Sequence, residues 1–499
     1  MSRQKENSGG LEWRLRVSDG SSEELVPERS IIHRVWLWVH SLVIALKLMI
    51  WKFMGKIWKL GADDPRRVVH GLKVGIALSA VSLFYYVRPL YDGIGGTAMW
   101  AVMTVVVVFE FTVGATLLKG FNRGMATLLA CSLALGVHSI ASQGGEKTEP
   151  IVLVISVFLT ASAATFSRFI PTIKRRFDYG ITIFILTFSL VTVSSYRVEK
   201  LVKMAHERLS TIVIGGSMCM IISTLICPVW AGEDLHLLVT RNMEKLAESL
   251  HGSVVAYFGE VEGDIGDDEP CKKSQAYKCV LNSKTTEELL ANFARWEPPH
   301  GQFGFWHPWK QYLKIGTTLR YCACCIEALN ASISSEVQAP ESAMKYLSVS
   351  CIKVSSQCSS VLKELAKTTK TMTRSSIIDI SVDEMKITVE DLRNAVKSLP
   401  VQLRHQPQQA PHLEAKEEAK RPLSTTLPLL EVLPLVTISS LLSEIAAGIE
   451  AVVSAVEKMA DLASFNLAND ENPTKNKPVT DPSSKQQEQD DAVKAVQMV

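Results

Sequence analysis

Residues 98–124 read AMWAVMTVVVVFEFTVGATLLKGFNRG: an apolar segment, a short polar interruption, and a second apolar segment that carries two basic side chains. This alternation extends outward from Arg66 to Trp230, where short connections hold most of the local charge. A helix needs about 20 residues, each rising about 1.5 Å, to cross roughly 30 Å of hydrocarbon. Apolar segments of suitable character occupy residues 68–87, 95–109, 116–138, 151–167, 179–195 and 205–227. The sequence therefore predicts an all-α membrane domain over residues 65–230 with about six transmembrane helices, of which segment 95–109 is the shortest.

Basic residues indicate which side of the membrane each connection occupies. Arg66 and Arg67 precede the first segment, and Lys119 and Arg123 follow the second. Four further basic residues between positions 168 and 176 separate the fourth segment from the fifth. The positive-inside rule then places these connections and both termini in the cytoplasm. Three basic residues between positions 197 and 203 lie on the opposite side and weaken this assignment without reversing it.

The composition excludes several classes of protein. The chain has 499 residues, 47% of them hydrophobic, and a formal net charge of +2, which gives no support for a nucleic-acid partner. Most of its ten cysteines fall in the half assigned to the cytoplasm, where thiols stay reduced, so we expect no disulfide framework. The densest cluster, Cys322, Cys324 and Cys325, lacks a CxxC pair and a histidine at metal spacing. We therefore expect no metal site and no cofactor.

The segments on either side of the membrane domain differ in character. Residues 1–30 are polar and are predicted to form a disordered tail. Residues 31–64 mix tryptophans and lysines with apolar side chains, which favours an amphipathic helix in the headgroup layer; a seventh span is the alternative. Helical periodicity across residues 231–400 predicts a cytosolic helical bundle.

The C-terminal part contains one further apolar segment. Residues 401–424 are rich in proline, glutamine and charge, as is typical of a linker. Residues 425–465 place apolar side chains on one face, which predicts an amphipathic helix that docks on the bundle or on a partner. We expect this helix to be too charged to span a membrane. Residues 466–499 are polar and are predicted to be disordered.

A few basic residues within the apolar segments could line an anion pathway. Lys119 and Arg123 are four residues apart and share a helix face, and Arg123 lies roughly 10 Å inside the third segment if that segment starts near Thr116. Arg208 occupies the first turn of the sixth segment, at the opposite end, and Lys73 lies near the start of the first. A charged side chain in a membrane helix usually faces a water-filled path or a partner.

Guanidinium groups bind carboxylates, nitrate and sulfate, so these positions predict a route for anions. The alternative is that Lys119 and Arg123 reach the cytoplasmic headgroups and that Arg208 pairs with Glu207 or a headgroup. Glu110 is interpreted as a helix-end cap or as a partner of Arg123.

Residues 295–309 read RWEPPHGQFGFWHPW and are dense in aromatic side chains and prolines. This composition favours a rigid segment that packs against the membrane half over a ligand site. Motifs for phosphate loops, nucleophilic serines, zinc proteases and EF-hands do not occur in the sequence, so we predict that the protein is not an enzyme.

This segment closely resembles the WEPxHGxF signature of the plant aluminium-activated malate transporter family. The resemblance extends to PRRVVHGLKVG from Pro65, to the 98–124 segment quoted above, to FDYGITIFILTFSL from Phe177 and to CPVWAGEDLH from Cys227. These motifs occur in the same order and cover most of the chain from about residue 60 to 400.

The resemblance implies an anion channel for malate and inorganic anions that forms a homodimer with six spans per subunit and a cytosolic helical domain. It places the pore arginines at Arg123 of NRG and Arg208 of ERLS, with Lys119 nearby. The cytosolic signature corresponds to Trp296, Glu297, Pro298 and His300, for which we expect a structural or gating role.

One loop departs from the pattern of the members that aluminium gates. These resemble one another in acidic residues before the sixth span, whereas residues 197–203 here read RVEKLVK. A trivalent cation needs clustered oxygen ligands, and Glu199 with Asp92 offers few, so we predict no activation by aluminium.

Together these observations predict a passive channel for malate, chloride, nitrate and sulfate, in the plasma membrane rather than the vacuolar membrane. A proton-coupled organic-anion carrier and a non-conducting membrane anchor that binds partners are the alternatives.

Overall fold

The computed structural model describes residues 14–16, 22–24, 31–87, 98–145, 147–195, 201–259, 275–334, 339–405 and 429–467. Nearly all of these residues are helical, which confirms the all-α fold class. The chain divides into two compact units, Met1–Val107 and Val108–Val499. The predicted linker from residue 406 to 424 and the C-terminal tail from residue 468 lie outside the described residues, as do Arg88, Asp92 and Glu199.

The first unit contains two short strands and three helices. They are β1 (Arg14–Arg16), β2 (Ser22–Glu24), α1 (Ile31–Asp63), α2 (Pro65–Tyr86) and α3 (Ala98–Val108), the last of which ends at the boundary. Strands β1 and β2 pair antiparallel, which is local order where the composition predicted a disordered tail. Helix α2 begins as its sequence predicts, because Pro65 occupies the first turn and the Asp64 side chain accepts a hydrogen bond from the Arg66 N–H.

The second unit begins with four long apolar helices. They are α4 (Val113–Ser142), α5 (Glu149–Ser167), α6 (Pro171–Ser195) and α7 (Leu201–Leu225). Helix α4 packs against each of the other three and is therefore the central helix of this group. Four of the predicted spans correspond to these helices.

Six helical segments in the described part of the chain are long and apolar enough to cross a membrane, so the chain is a multi-pass membrane protein. They are Val35–Asp63, Val113–Ser142, Glu149–Ser167, Arg176–Ser194, Ala205–Leu225 and Val432–Leu462. Four of the six match predicted spans, whereas Val35–Asp63 falls in the predicted interfacial region, for which a span was the alternative, and Val432–Leu462 falls in the predicted C-terminal helix. Helix α2 is not among the six, although its 22 residues rise about 33 Å. Helix α3 is shorter, as segment 95–109 predicted.

The rest of the second unit is a helical bundle around one large apolar core. It contains α8 (Ala231–Phe258), α9 (Tyr277–Leu281), α10 (Lys284–Ala294), α11 (Trp309–Ile333), α12 (Glu341–Thr371), α13 (Ile377–His405) and α14 (Leu429–Leu462). Two-residue strands β3 (Thr373–Arg374) and β4 (Asn466–Leu467) pair in parallel beside it. The predicted tail from residue 466 therefore starts as a strand.

Packing decides the role of α14. Its segment Val432–Leu462 passes the length and composition test for a span, so the expectation that it is too charged to cross a membrane is wrong. However, its apolar face is buried in the bundle core, where α14 packs against α11, α12 and α13. The buried side chains are Leu435, Ile438, Leu442, Ile445, Ile449, Val452 and Val456. Because this face is already covered by protein, α14 is a bundle helix, and the predicted docking on the bundle is confirmed.

Candidate functional site

The N-terminus of α4 is fixed by four separate acceptors. An α-helix leaves its first four N–H groups without intrahelical partners. The N–H of Val113 donates to the Val229 carbonyl at 3.0 Å, and that of Ala115 donates to the Thr112 hydroxyl at 3.3 Å. The N–H of Thr116 donates to the Thr112 carbonyl, and that of Gly114 donates to the carboxylate of Glu297, far along the chain. The start of the central membrane helix is thus attached to the bundle.

Lys119 and Arg123 both reach Tyr179 on α6. The Arg123 Nη1 donates to the Tyr179 hydroxyl at 3.5 Å, and the Lys119 ammonium lies 5.6 Å from the centre of the Tyr179 ring, a cation–π distance. Arg123 is only 9% exposed. The predicted shared face of these two residues is therefore the face that α4 turns toward α6.

The acidic residues near this face have other partners. Glu110 forms an ion pair with Lys119 rather than with Arg123, so the sequence interpretation of Glu110 as a partner of Arg123 is wrong. Asp178, the residue before Tyr179, accepts two hydrogen bonds from Arg168, at 2.7 and 3.2 Å. Within the described part of the chain, Arg123 forms no ion pair with a carboxylate. Its positive charge is therefore buried without a neutralising carboxylate among the residues that the structure describes.

Arg208 lies where the sequence predicted. Helix α7 starts at Leu201, but its apolar segment starts at Ala205, so Arg208 occupies the first turn of that segment. Because α7 packs against α4, the half-buried Arg208 is close enough to Arg123 for their charges to interact. The two arginines therefore contribute positive charge to one region on the packed helices α4 and α7.

Lys73 lies on α2 in the first unit, where it is only 2% exposed. Burial of a lysine within a membrane helix is unusual unless the charge has a partner or water. Its role as a pore residue stays a prediction.

Glu297 joins the starts of two helices. Its Oε1 accepts the N–H groups of Gly114 at 3.3 Å and of Ala231 at 2.6 Å, and its Oε2 accepts that of Gly232 at 3.0 Å. A carboxylate is well placed there because both helix N-termini carry partial positive charge. Burial raises the pKa of Glu297, while the three N–H groups and nearby His300 act in the opposite direction.

The residues around Glu297 extend this connection. The Trp296 ring lies 5.0 Å from the Phe121 ring of α4, and His300 stacks on Trp230 with ring centres 3.9 Å apart. The carbonyl of Pro298 accepts a 2.8 Å hydrogen bond from the His300 Nδ1–H. The signature segment thus contacts both the membrane helix and the start of the bundle, which agrees with the predicted structural role.

Two further histidines share the buried hydroxyl of Tyr312. His236 Nε2 must donate to the Lys370 carbonyl at 3.3 Å, which leaves its Nδ1 to accept from the Tyr312 hydroxyl at 2.9 Å. The Tyr312 oxygen in turn accepts from His307 Nε2 at 3.2 Å. This directed chain requires the imidazole of His236 to be neutral, because its Nδ1 is an acceptor. Burial is the main cause that lowers the pKa of His307 to about 4, and the neighbouring His236 and His300 act in the same direction.

Sequence reasoning missed Tyr179, Gly114 and Tyr312. Tyr179 lies inside the FDYG motif, where a phenol among apolar residues is a weak signal for a polar contact. Gly114 and Tyr312 carry no local signal, because their partners lie on distant elements. No group of three or more histidine, cysteine or acidic side chains in the described ranges could hold a metal ion.

Comparison with known proteins identifies the family. A family model described as Aluminium activated malate transporter matches residues 58–423, well over half of the chain. The chain belongs to this family. Its relatives include Aluminum-activated malate transporter 10 of Arabidopsis thaliana, 49% identical over 476 residues, which cover 92% of this chain and 95% of the relative. Aluminum-activated malate transporter 1 of Triticum aestivum is 43% identical over 446 residues, which cover 87% and 90%.

Membership of the aluminium-activated malate transporter family confirms the resemblance seen in the sequence motifs. It is a family of membrane transporters and not of enzymes, in agreement with the reading of the sequence. In this transporter, a buried electropositive region lies on α4, α6 and α7. Glu297 attaches the start of α4 to the helical bundle.

Proposed function

We propose that this protein is a passive, anion-selective channel that conducts malate, chloride, nitrate and sulfate across a plant membrane. The names of its relatives, which are malate transporters, support malate as a substrate. Arg123, Arg208 and Lys119 replace part of the hydration of the anion, and Lys73 adds positive charge near the start of α2. The channel is a homodimer in the plasma membrane, surrounded by lipid, with both termini in the cytoplasm.

One observation carries this proposal: Arg123 is buried, and no carboxylate in the described ranges pairs with its guanidinium. An uncompensated buried charge is costly, so a permeating anion and its water are the natural counter-charge. Glu110 and Asp178, two acids on neighbouring elements, are already paired with other basic residues. The nearby charge of Arg208 strengthens the attraction for anions.

The decisive experiment is a patch-clamp recording in malate and then in nitrate. We expect Arg123→Ala to lower anion current by about tenfold or more, because a group that contacts the permeating ion is lost. Arg123→Lys keeps the charge without the planar fork and is expected to retain more current. The matched control is Lys174→Ala, an exposed basic residue on the same side. Undiminished current in Arg123→Ala would remove the proposed pore role.

The same recordings separate the rival functions. A channel current reverses at the Nernst potential of the anion and ignores a pH gradient, whereas the reversal of a proton-coupled carrier follows both gradients. A membrane anchor without transport activity gives no anion flux after reconstitution. We also expect aluminium to leave the current unchanged, because Glu199 and Asp92 are too few to hold a trivalent cation.

A further inference from the structure

A cleft of about 500 Å³ lies where the membrane helices meet the bundle, and the transport pathway proposed above does not use it. One wall is a face of α10, on which Thr285, Glu288, Asn292 and Arg295 recur at helical spacing. Lys310 contributes from the first turn of α11, and Arg176 contributes from α6. One membrane helix and two consecutive bundle helices therefore converge on one polar cavity.

The charges of the cleft favour an anion. Arg176, Arg295 and Lys310 line it together with a single acid, Glu288. Lys310 is the second residue of α11, so the positive end of that helix reinforces the side chain. The cleft therefore has two more basic side chains than acidic ones. Because the basic side chains come from separate elements, they can bind different oxygens of one multiply charged ligand.

The position and size of the cleft restrict the chemical class of ligand that it can bind. Arg176 is the first residue of the apolar segment Arg176–Ser194, which places it at the depth of lipid headgroups. Basic pockets at this depth on the cytoplasmic side of membrane helices suit phosphorylated headgroups. A four-carbon diacid would fill only a small part of 500 Å³, whereas a ring with several phosphates would occupy much more of it.

We propose that this cleft binds a polyphosphorylated anion through Arg176, Arg295 and Lys310, and that the ligand ties α6 to α10 and α11. Arg295 is two residues before Glu297, so a ligand held there stabilises the segment that anchors the start of α4. The ligand thereby favours one arrangement of the bundle relative to the membrane helices, which makes the cleft a regulatory site.

Binding is tested on the purified full-length protein with two probes that carry the same headgroup. They are inositol trisphosphate and a short-chain phosphatidylinositol bisphosphate, and short-chain phosphatidylcholine is the reference for non-specific binding. Equal binding of the first two probes assigns the site to soluble phosphates. Binding of the lipid alone assigns it to a membrane headgroup.

The variants are chosen in matched pairs. Arg176→Ala combined with Lys310→Ala is expected to weaken binding about tenfold or more, because two charge-assisted contacts are lost. Lys174→Ala combined with Lys314→Ala removes two exposed lysines close by in sequence and is expected to leave affinity unchanged. Glu288→Gln removes the opposing charge and is expected to tighten binding severalfold.

Thermal unfolding of each variant without ligand shows whether the fold is intact. Equal affinity in the cleft variants and the lysine controls would overturn the proposal, as would failure of both phosphorylated probes to bind. The assay requires no conduction, so its outcome is independent of whether the protein is a channel.

Discussion

At the scale of single residues, Glu297 lies outside the membrane helices but holds the start of one of them. Its carboxylate accepts hydrogen bonds from the starts of α4 and α8, and α4 carries Lys119 and Arg123. We therefore expect a movement of the bundle at this point to displace the helix that holds the candidate pore residues. Glu297 is a positioning residue, because it does not itself contact Arg123.

We predict that Glu297→Ala lowers the free energy of unfolding by about 2–4 kcal/mol, since three buried N–H groups lose their acceptor. Glu297→Gln keeps one acceptor oxygen and is expected to cost less. Thermal unfolding of the purified protein measures both effects. Glu327→Gln changes an exposed acid on α11 and is expected to be neutral.

A second measurement tests whether the role of Glu297 is more than structural. Substitution of a purely structural residue would change the abundance of the protein but not the voltage dependence of its current. We expect Glu297→Gln to shift the voltage dependence of current at equal surface expression. An unchanged current–voltage relation would restrict Glu297 to a role in stability.

At the scale of elements, the contact between α4 and α10 depends on a missing side chain. A Cβ on Gly114 would collide with the carbonyl oxygen of Phe293, which is backbone and cannot move aside. Residue 114 must therefore be glycine for the two helices to approach this closely. The hydrogen bond from Gly114 to Glu297 depends on the same approach.

We predict that Gly114→Ala destabilises the protein by about 1–3 kcal/mol, as overpacked contacts typically do, and reduces anion current. Gly124→Ala, on the same helix, is the control, because a Cβ there meets nothing within 4 Å. Alanine is also the better helix former, so Gly124→Ala is expected to be neutral or slightly stabilising. Equal unfolding temperatures for the two variants would contradict this account of the contact.

Features of the helices could be predicted from the sequence where they depend on residues within a few positions of one another. The shared face of Lys119 and Arg123 follows from four-residue spacing, and the start of α2 follows from Asp64 and Pro65. The role of α14 was predicted correctly for a wrong reason: its composition allows a span, and only burial of its apolar face against α11 places it in the bundle. Tyr179 could not be predicted, because its contact with Arg123 depends on how α4 and α6 pack.

At the scale of the whole molecule, the bundle core holds ionisable groups that must stay neutral. Burial lowers the pKa of both His236 and His307, and it raises the pKa of Tyr312. The three side chains form the directed hydrogen-bond chain that ends on the Lys370 carbonyl. A proton on His236 would remove an acceptor, and a proton on His307 would add a charge in a buried site.

This arrangement predicts that the bundle loses stability in acid. The ordinary pKa of histidine is 6.5, and that of His307 in the folded protein is about 4. Between these values the unfolded chain binds more protons than the folded chain, so the free energy of unfolding falls as the pH falls from about 6.5 to 4. The raised pKa of Glu297 has the opposite effect, because it increases the free energy of unfolding as the pH falls. The contribution of His307 is therefore measured as the difference between the wild type and a variant without this histidine. The variant His307→Gln retains an N–H near the position of Nε2 but does not titrate. We expect its unfolding temperature to be similar to that of the wild type at pH 7. Between pH 7 and pH 5, we expect the unfolding temperature of the variant to fall less than that of the wild type. Parallel declines in the two proteins would show that protonation of His307 is not coupled to folding.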